Sequence, residues 1–128
     1  MTNQLTRQEV EKKYGREYLK LLYDNPWLQN YRPQQNQYRI EEYQGIWLPS
    51  FSYLWRLVET FIPADPEKID DIPAYLSGKL VLTTNRGKFL VKLNIKGKRV
   101  KKEGVSPEEA LLKLFVALEK NDSFSEPP

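Results

Sequence analysis

The groups in this chain best placed to do chemistry are cations. Lys88, Lys92 and Lys96 recur every four residues in a segment that alternates like a β-strand, so their side chains share one face. Lys98, Arg99, Lys101 and Lys102 follow and extend the cluster around the next turn. Such an array can neutralise the phosphates of a nucleic acid or the carboxylates of an acidic partner. It is equally what a solvated sheet face looks like, its lysines guarding a strand edge against stray pairing. Leu90 and Asn94 lie on the same face and supply no aromatic platform of the kind on which single-strand binders stack bases. Asp65, Glu67, Asp70 and Asp71, in the loop ahead, offer a third outcome, internal neutralisation.

The net charge of +3 conceals how unevenly the charge is spread. Residues 1–76 carry 9 basic and 11 acidic side chains, residues 77–105 carry 9 basic and 1 acidic, and residues 106–128 carry 2 basic and 5 acidic. The positive charge therefore belongs to one segment.

Other chemistries are excluded or weakly offered. The chain has no His and no Cys, which removes Ser-His-Asp and Cys-His catalysis and imidazole or thiolate metal sites. Ser77-Gly78-Lys79 and Arg86-Gly87-Lys88-Phe89 lack the flanking spacing and the following Ser or Thr of a phosphate loop. Asp70-Asp71 and Glu41-Glu42 are carboxylate pairs, but adjacent side chains diverge, so they read as solvated charge, and Glu108-Glu109 reads as a helix cap. No catalytic residue, metal or cofactor is assigned, and the chain is expected not to be an enzyme.

A second candidate surface is aromatic. Trp27, Tyr31, Arg32, Tyr38, Arg39 and Tyr43 are interspersed with glutamines, and Trp, Tyr and Arg are the residues enriched in interface hot spots. They can equally stack on bases, or pin their own segment to the domain. The stretch is too aromatic for a free linker and too polar for a core, so it reads as an irregular arm with a short strand near residues 38–43.

The lysines are positioned by the stretch from Lys79 to Lys120. Leu80, Leu82 and Thr84 alternate with Val81 and Thr83, and Phe89, Val91, Leu93 and Ile95 alternate with lysines and polar residues. Asn85-Arg86-Gly87 suits a three-residue hairpin loop, and Gly97-Lys98 a two-residue loop returning the chain along residues 99–103. The apolar face of this meander needs a cover. Ser106-Pro107-Glu108-Glu109 announces a capped helix whose apolar residues, Ala110 to Leu118, extend over more than half its girth, so it is expected to be buried both by the sheet and by something N-terminal.

Upstream, Thr6-Arg7-Gln8-Glu9 is a capping box ahead of an amphipathic helix over residues 7–23, with Gly15 inside it and Asp24-Asn25-Pro26 ending it. Ser50 caps a further helix with a stripe of Phe51, Leu54, Trp55, Val58 and Phe61, closed by Pro63. The fold class is α+β: a two-layer domain with a three-stranded antiparallel meander packed against helices, an α-β-β-β-α core, and an additional N-terminal helix and aromatic arm. The organisation reads as residues 1–45 for the N-terminal helix and arm, 46–120 for the core and 121–128 for a flexible tail.

With 128 residues, 40% of them hydrophobic and 29% charged, the composition is that of one globular domain. No apolar run approaches the roughly 18 residues of a membrane span, and Met1-Thr2-Asn3-Gln4 does not open a secretory signal, so the expected location is cytoplasmic.

Two families are similar in part. The run from Phe89 to Leu93 and then Gly104-Val105-Ser106-Pro107-Glu108-Glu109-Ala110 resembles the C-terminal two-thirds of double-stranded RNA-binding domains. In that family lysines that grip phosphate open the last helix, where this chain has Pro107, Glu108 and Glu109, and the family's histidine-bearing loop has no counterpart. The resemblance implies topology rather than function. Trp47-Leu48-Pro49-Ser50 opening a Trp-containing helix, a short meander and a Ser-Pro-Glu-Glu-Ala-Leu helix, over about residues 46–119, resembles small uncharacterised bacteriophage proteins of the α/β sandwich type. That resemblance implies a phage accessory protein. The expected function is non-enzymatic binding of a larger protein or nucleoprotein partner, as an inhibitor of a host nucleic-acid-handling or defence complex. The alternative is direct binding of nucleic acid through the basic sheet face.

Overall fold

The computed structural model describes residues 2–33, 40–61, 80–95 and 98–120. It is an α+β arrangement with two three-stranded sheets. In chain order the elements are β1 (Thr2–Gln4), α1 (Arg7–Lys13), α2 (Arg16–Asp24), a 3-10 helix (Pro26–Tyr31), β2 (Ile40–Tyr43), β3 (Ile46–Leu48), α3 (Phe51–Glu59), β4 (Leu80–Asn85), β5 (Lys88–Ile95), β6 (Lys98–Gly104) and α4 (Pro107–Lys120). The expected closing Pro63, the loop over residues 64–73 and the tail over 121–128 lie outside the described residues.

β4, β5 and β6 form an antiparallel meander. Its first turn is tighter than the sequence suggests. Asn85 pairs with Lys88, leaving a two-residue loop in which Arg86 and Gly87 both take positive φ, 53° and 80°. That is the turn whose twist matches the strands it joins. At the second turn Ile95 pairs with Lys98, so Lys98 belongs to the strand and the connection is residues 96–97, which are not among those described. A loop at Gly97-Lys98 would have set Lys92 opposite Glu103; the observed register sets it opposite Lys101.

One face of the meander is buried beneath α4. Val91 and Leu93 are fully enclosed and Val100 nearly so, with Leu80, Leu82 and Phe89 partly buried at the margin. Helix α4 packs against β5 and β6 on one side and against α2 and α3 on the other. Ala110, Leu111, Leu112, Leu114, Phe115 and Leu118 are buried all round it, which explains its near-continuous apolar composition. Phe115 is the aromatic centre: Tyr31, Trp27 and Phe61 lie 5.3, 6.1 and 6.1 Å from it, ring centre to ring centre.

The expected first helix is two helices. Thr6 and Glu9 close the capping box of α1 as its sequence implies. The chain then breaks at Gly15, whose φ of +108° no residue with a Cβ adopts readily. Gly15 provides no side-chain cap for α2. The cap comes from 91 residues away: Glu109 Oε2 accepts from Tyr18 N at 3.3 Å. Glu109 Oε1 accepts from Val105 N at 2.9 Å, and Ser106 Oγ accepts from Glu109 N at 3.0 Å. One buried carboxylate thus serves the amino ends of α2 and α4, where the helix dipole favours negative charge. A Cβ on Gly15 would lie 2.1 Å from Glu109 Oε2, so the glycine is required by the approach as well as by its φ.

The second sheet was not expected beyond the short strand at β2. β2 and β3 form a hairpin around Gln44 and Gly45, both at positive φ, and β1 adds in parallel to β2. The hairpin runs through residue 45, where the arm and the core were drawn apart. Gln29 completes the free edge of β3 with its side-chain amide, accepting from Trp47 N at 2.7 Å and donating to Trp47 O at 3.1 Å.

Candidate functional site

The face of the meander away from α4 holds the first candidate site. Residues alternate across a strand, so the burial of Val91 and Leu93 puts Lys88, Leu90 and Lys92 on the opposite side. The register adds Val81, Thr83 and Asn85 from β4, and Arg99, Lys101 and Glu103 from β6. Lys88, Arg99 and Lys101 are exposed, and Lys92 is half-buried between Val81 and Lys101. None of these four cations lies within ion-pair distance of a described carboxylate, although Lys88 is close enough to Glu17 of α2 to help hold that carboxyl below its ordinary value, after Lys113.

The other cations assigned to this cluster are placed differently. Lys102 is opposite Val91, on the covered side of the sheet, and is half-buried. The seven-residue basic run thus splits between two faces. Lys96 lies outside the described residues, and of Lys98 only the backbone is described.

The aromatic arm is turned inward where it is described. Trp27 and Tyr31 pack on Phe115 and on each other, and the Tyr31 hydroxyl donates to Glu119. That bond, more than burial, raises the Tyr31 phenol above its ordinary pKa. Tyr31 O accepts from the Tyr53 hydroxyl at 2.7 Å. Arg32 is ion-paired to the buried Glu42, which also accepts from Gln4. Tyr43 is half-buried against the core. Tyr38 and Arg39 lie outside the described residues.

A cleft of about 580 Å³ lies where β2, β3 and the start of α3 meet the ends of α1 and α4. Tyr14, Trp47, Phe51 and Tyr53 wall it, with Lys13, Glu41, Arg56 and Glu108 as its charged groups. Tyr14 donates to Glu41, and Lys13 Nζ lies 2.6 Å from the same carboxylate and 5.2 Å from the Tyr14 ring centre. Burial and then the Glu41 bond hold the Tyr14 phenol well above its usual value. Burial raises the Glu108 carboxyl, and Glu41 adds to the effect. The two adjacent glutamates at the head of α4 have therefore parted, Glu109 as the cap and Glu108 as a cleft residue. That Glu108 and Glu41 line one cleft is invisible in the sequence, where 67 positions separate them.

Among the described residues no group of three or more Asp or Glu side chains could hold a metal ion, and no helix is long and apolar enough to cross a membrane. No protein-family model, curated protein or solved structure matches the chain.

Proposed function

We propose that this is a non-enzymatic binding protein that engages nucleic acid through the outer face of the β4–β5–β6 meander. The observation that carries the reading is that Lys88, Lys92, Arg99 and Lys101 share the face opposite the buried Val91 and Leu93 while no described carboxylate pairs with them. Phosphates neutralised by such cations release condensed counterions, which supplies affinity without sequence readout. The arm contributes less to this reading than the face does, because Trp27, Tyr31 and Arg32 are committed to Phe115, Glu119 and Glu42. The setting suggested by the resemblance to bacteriophage proteins is a cytoplasmic accessory factor that occupies a nucleoprotein partner and inhibits a host nucleic-acid-handling or defence complex.

A fluorescent random-sequence duplex titrated with the protein tests the reading. Affinity falls with salt along a log-log slope of about −0.9 for each phosphate contacted. Changing Lys88 and Lys92 together to Glu abolishes binding at low salt while the fold persists. No binding by the wild type at about 50 mM salt, where electrostatic association is strong, overturns the proposal.

The cleft favours a second reading, hydrolysis by a carboxylate pair. Glu108, whose carboxyl burial raises above its ordinary value, and Glu41, which accepts from Tyr14 and lies beside Lys13, both line this cleft as the candidate acid and its partner. Glu108→Gln and Glu41→Gln would each abolish any hydrolysis the wild type performs, and turnover surviving both substitutions rules the pair out.

A further inference from the structure

The outer face contains one juxtaposition that ordinary sheet design avoids. Lys92 and Lys101 are directly opposite each other across β5 and β6. Cβ atoms of directly opposed residues are about 5 Å apart, and like charges there destabilise a sheet. On its other side Lys92 faces Val81, which offers no acceptor. The only carboxylate on this face among the described residues, Glu103, is opposite Leu90 and only diagonal to Lys92, with Arg99 on the other diagonal. Diagonal neighbours are about 7–8 Å apart, so the opposed cation is nearer than the acid.

Several charges elsewhere in the molecule are arranged otherwise. Arg7 has Glu11, Lys13 has Glu41, Arg32 has Glu42 and Lys113 has Glu17. A face whose only role were solubility could carry the same charge with Lys92 one pair further along, opposite Glu103. Two lysines rooted at facing positions can both reach one group that offers two acceptor oxygens, and a phosphodiester shares its single negative charge between two non-bridging oxygens.

We propose that Lys92 and Lys101 form one anion seat, in which a single backbone phosphate is held between the two ammonium groups, and that the unliganded protein bears their repulsion as a loss of stability. This rests on the reading that the outer face binds nucleic acid, and it names the pair on which that binding centres. A solvated face and a binding seat share the relief of repulsion in the free protein and differ in what the substitution does to affinity. Removing one charge from a seat relieves the repulsion and removes a phosphate contact together, so stability rises while affinity falls.

The test combines urea unfolding of the free protein with titration of the labelled duplex, for Lys92→Gln, Lys101→Gln, the double variant and Lys88→Gln. Lys88 is opposite Asn85 and serves as the control. Either substitution in the pair raises the urea midpoint, and the second adds little, because the first has already removed the repulsion. Each lowers duplex affinity and makes the salt slope shallower by about 0.9, as expected for one lost phosphate contact. Lys88→Gln leaves the midpoint unchanged. A midpoint that stays level or falls in both single variants overturns the repulsion, and a raised midpoint with unchanged duplex affinity overturns the seat. Tripolyphosphate separates the two proposals: if the wild type binds no duplex, the nucleic-acid reading fails, and the seat fails with it only if tripolyphosphate raises the wild-type midpoint no more than it raises that of Lys92→Gln.

Discussion

The N-terminal sheet with its helices and the outer face of the meander use charge in opposite ways. In the first region several charges have partners, and several of the acids are enclosed. Glu109 is buried between two helix ends, Glu42 is held by Arg32 and Gln4, and Glu41 by Lys13 and Tyr14. In the second, cations lie beside cations and no described carboxylate pairs with them. Buried ionic groups must be satisfied internally because leaving one unpaired costs several kcal/mol, whereas an exposed lysine remains hydrated and available. The contrast separates charge that holds the fold from charge kept free for a partner.

Substitutions can break or sharpen that contrast. The largest effect is expected at Phe115, where the aromatic side chains of the N-terminal region converge: Phe115→Ala should cost about 4 kcal/mol in urea unfolding and loosen Trp27 and Tyr31, visible as a change in near-ultraviolet circular dichroism. Glu109→Ala orphans the Tyr18 and Val105 amides together and should cost about 3 kcal/mol, with the m-value unchanged. Arg32→Ala leaves Glu42 with the Gln4 side chain and should cost about 2 kcal/mol. Lys88→Ala, on the outer face, should change stability by no more than about 0.5 kcal/mol. A cost at Lys88 equal to that at Arg32 would erase the distinction.

The smallest effect is a pH dependence at Glu108. Burial raises its folded-state carboxyl above the ordinary glutamate value, so the folded form binds the proton more tightly than the unfolded chain does. Its contribution is therefore most favourable at acid pH and declines as pH rises from the unfolded value through the raised folded one. Glu108→Gln should flatten that decline and leave the protein slightly more stable at neutral pH. A steeper decline in the variant would show that Glu108 is stabilised as the carboxylate.

Much of the local structure is legible in the residues. The Thr6, Ser50 and Ser106 caps each accept the amide bond that their spacing implies. The alternation through Val91 and Leu93 identifies the buried face, and the apolar girth of the last helix announces cover on two sides. Gly15 conceals a chain break inside an amphipathic pattern, because residues 7–23 keep their helical spacing across it. The parallel strand β1 is three residues of polar sequence, Thr2-Asn3-Gln4, whose pairing depends on β2 rather than on any propensity of its own.

The candidate sites divide along the same line. Which lysines could share a face follows from the two-residue period of a strand, a local property of covalent geometry. Which charge stands opposite Lys92 depends on where the second turn closes, and moving that turn by one residue exchanges Lys101 for Glu103. Likewise Ser106-Pro107-Glu108-Glu109 establishes a helix start, but the packing of α2 against α4 decided that Glu109 would cap both helices while Glu108 lined the same cleft as Glu41. Periodicity and capping act within a few bonds and can be read residue by residue; register and the meeting of helix ends depend on free-energy differences summed over the whole core.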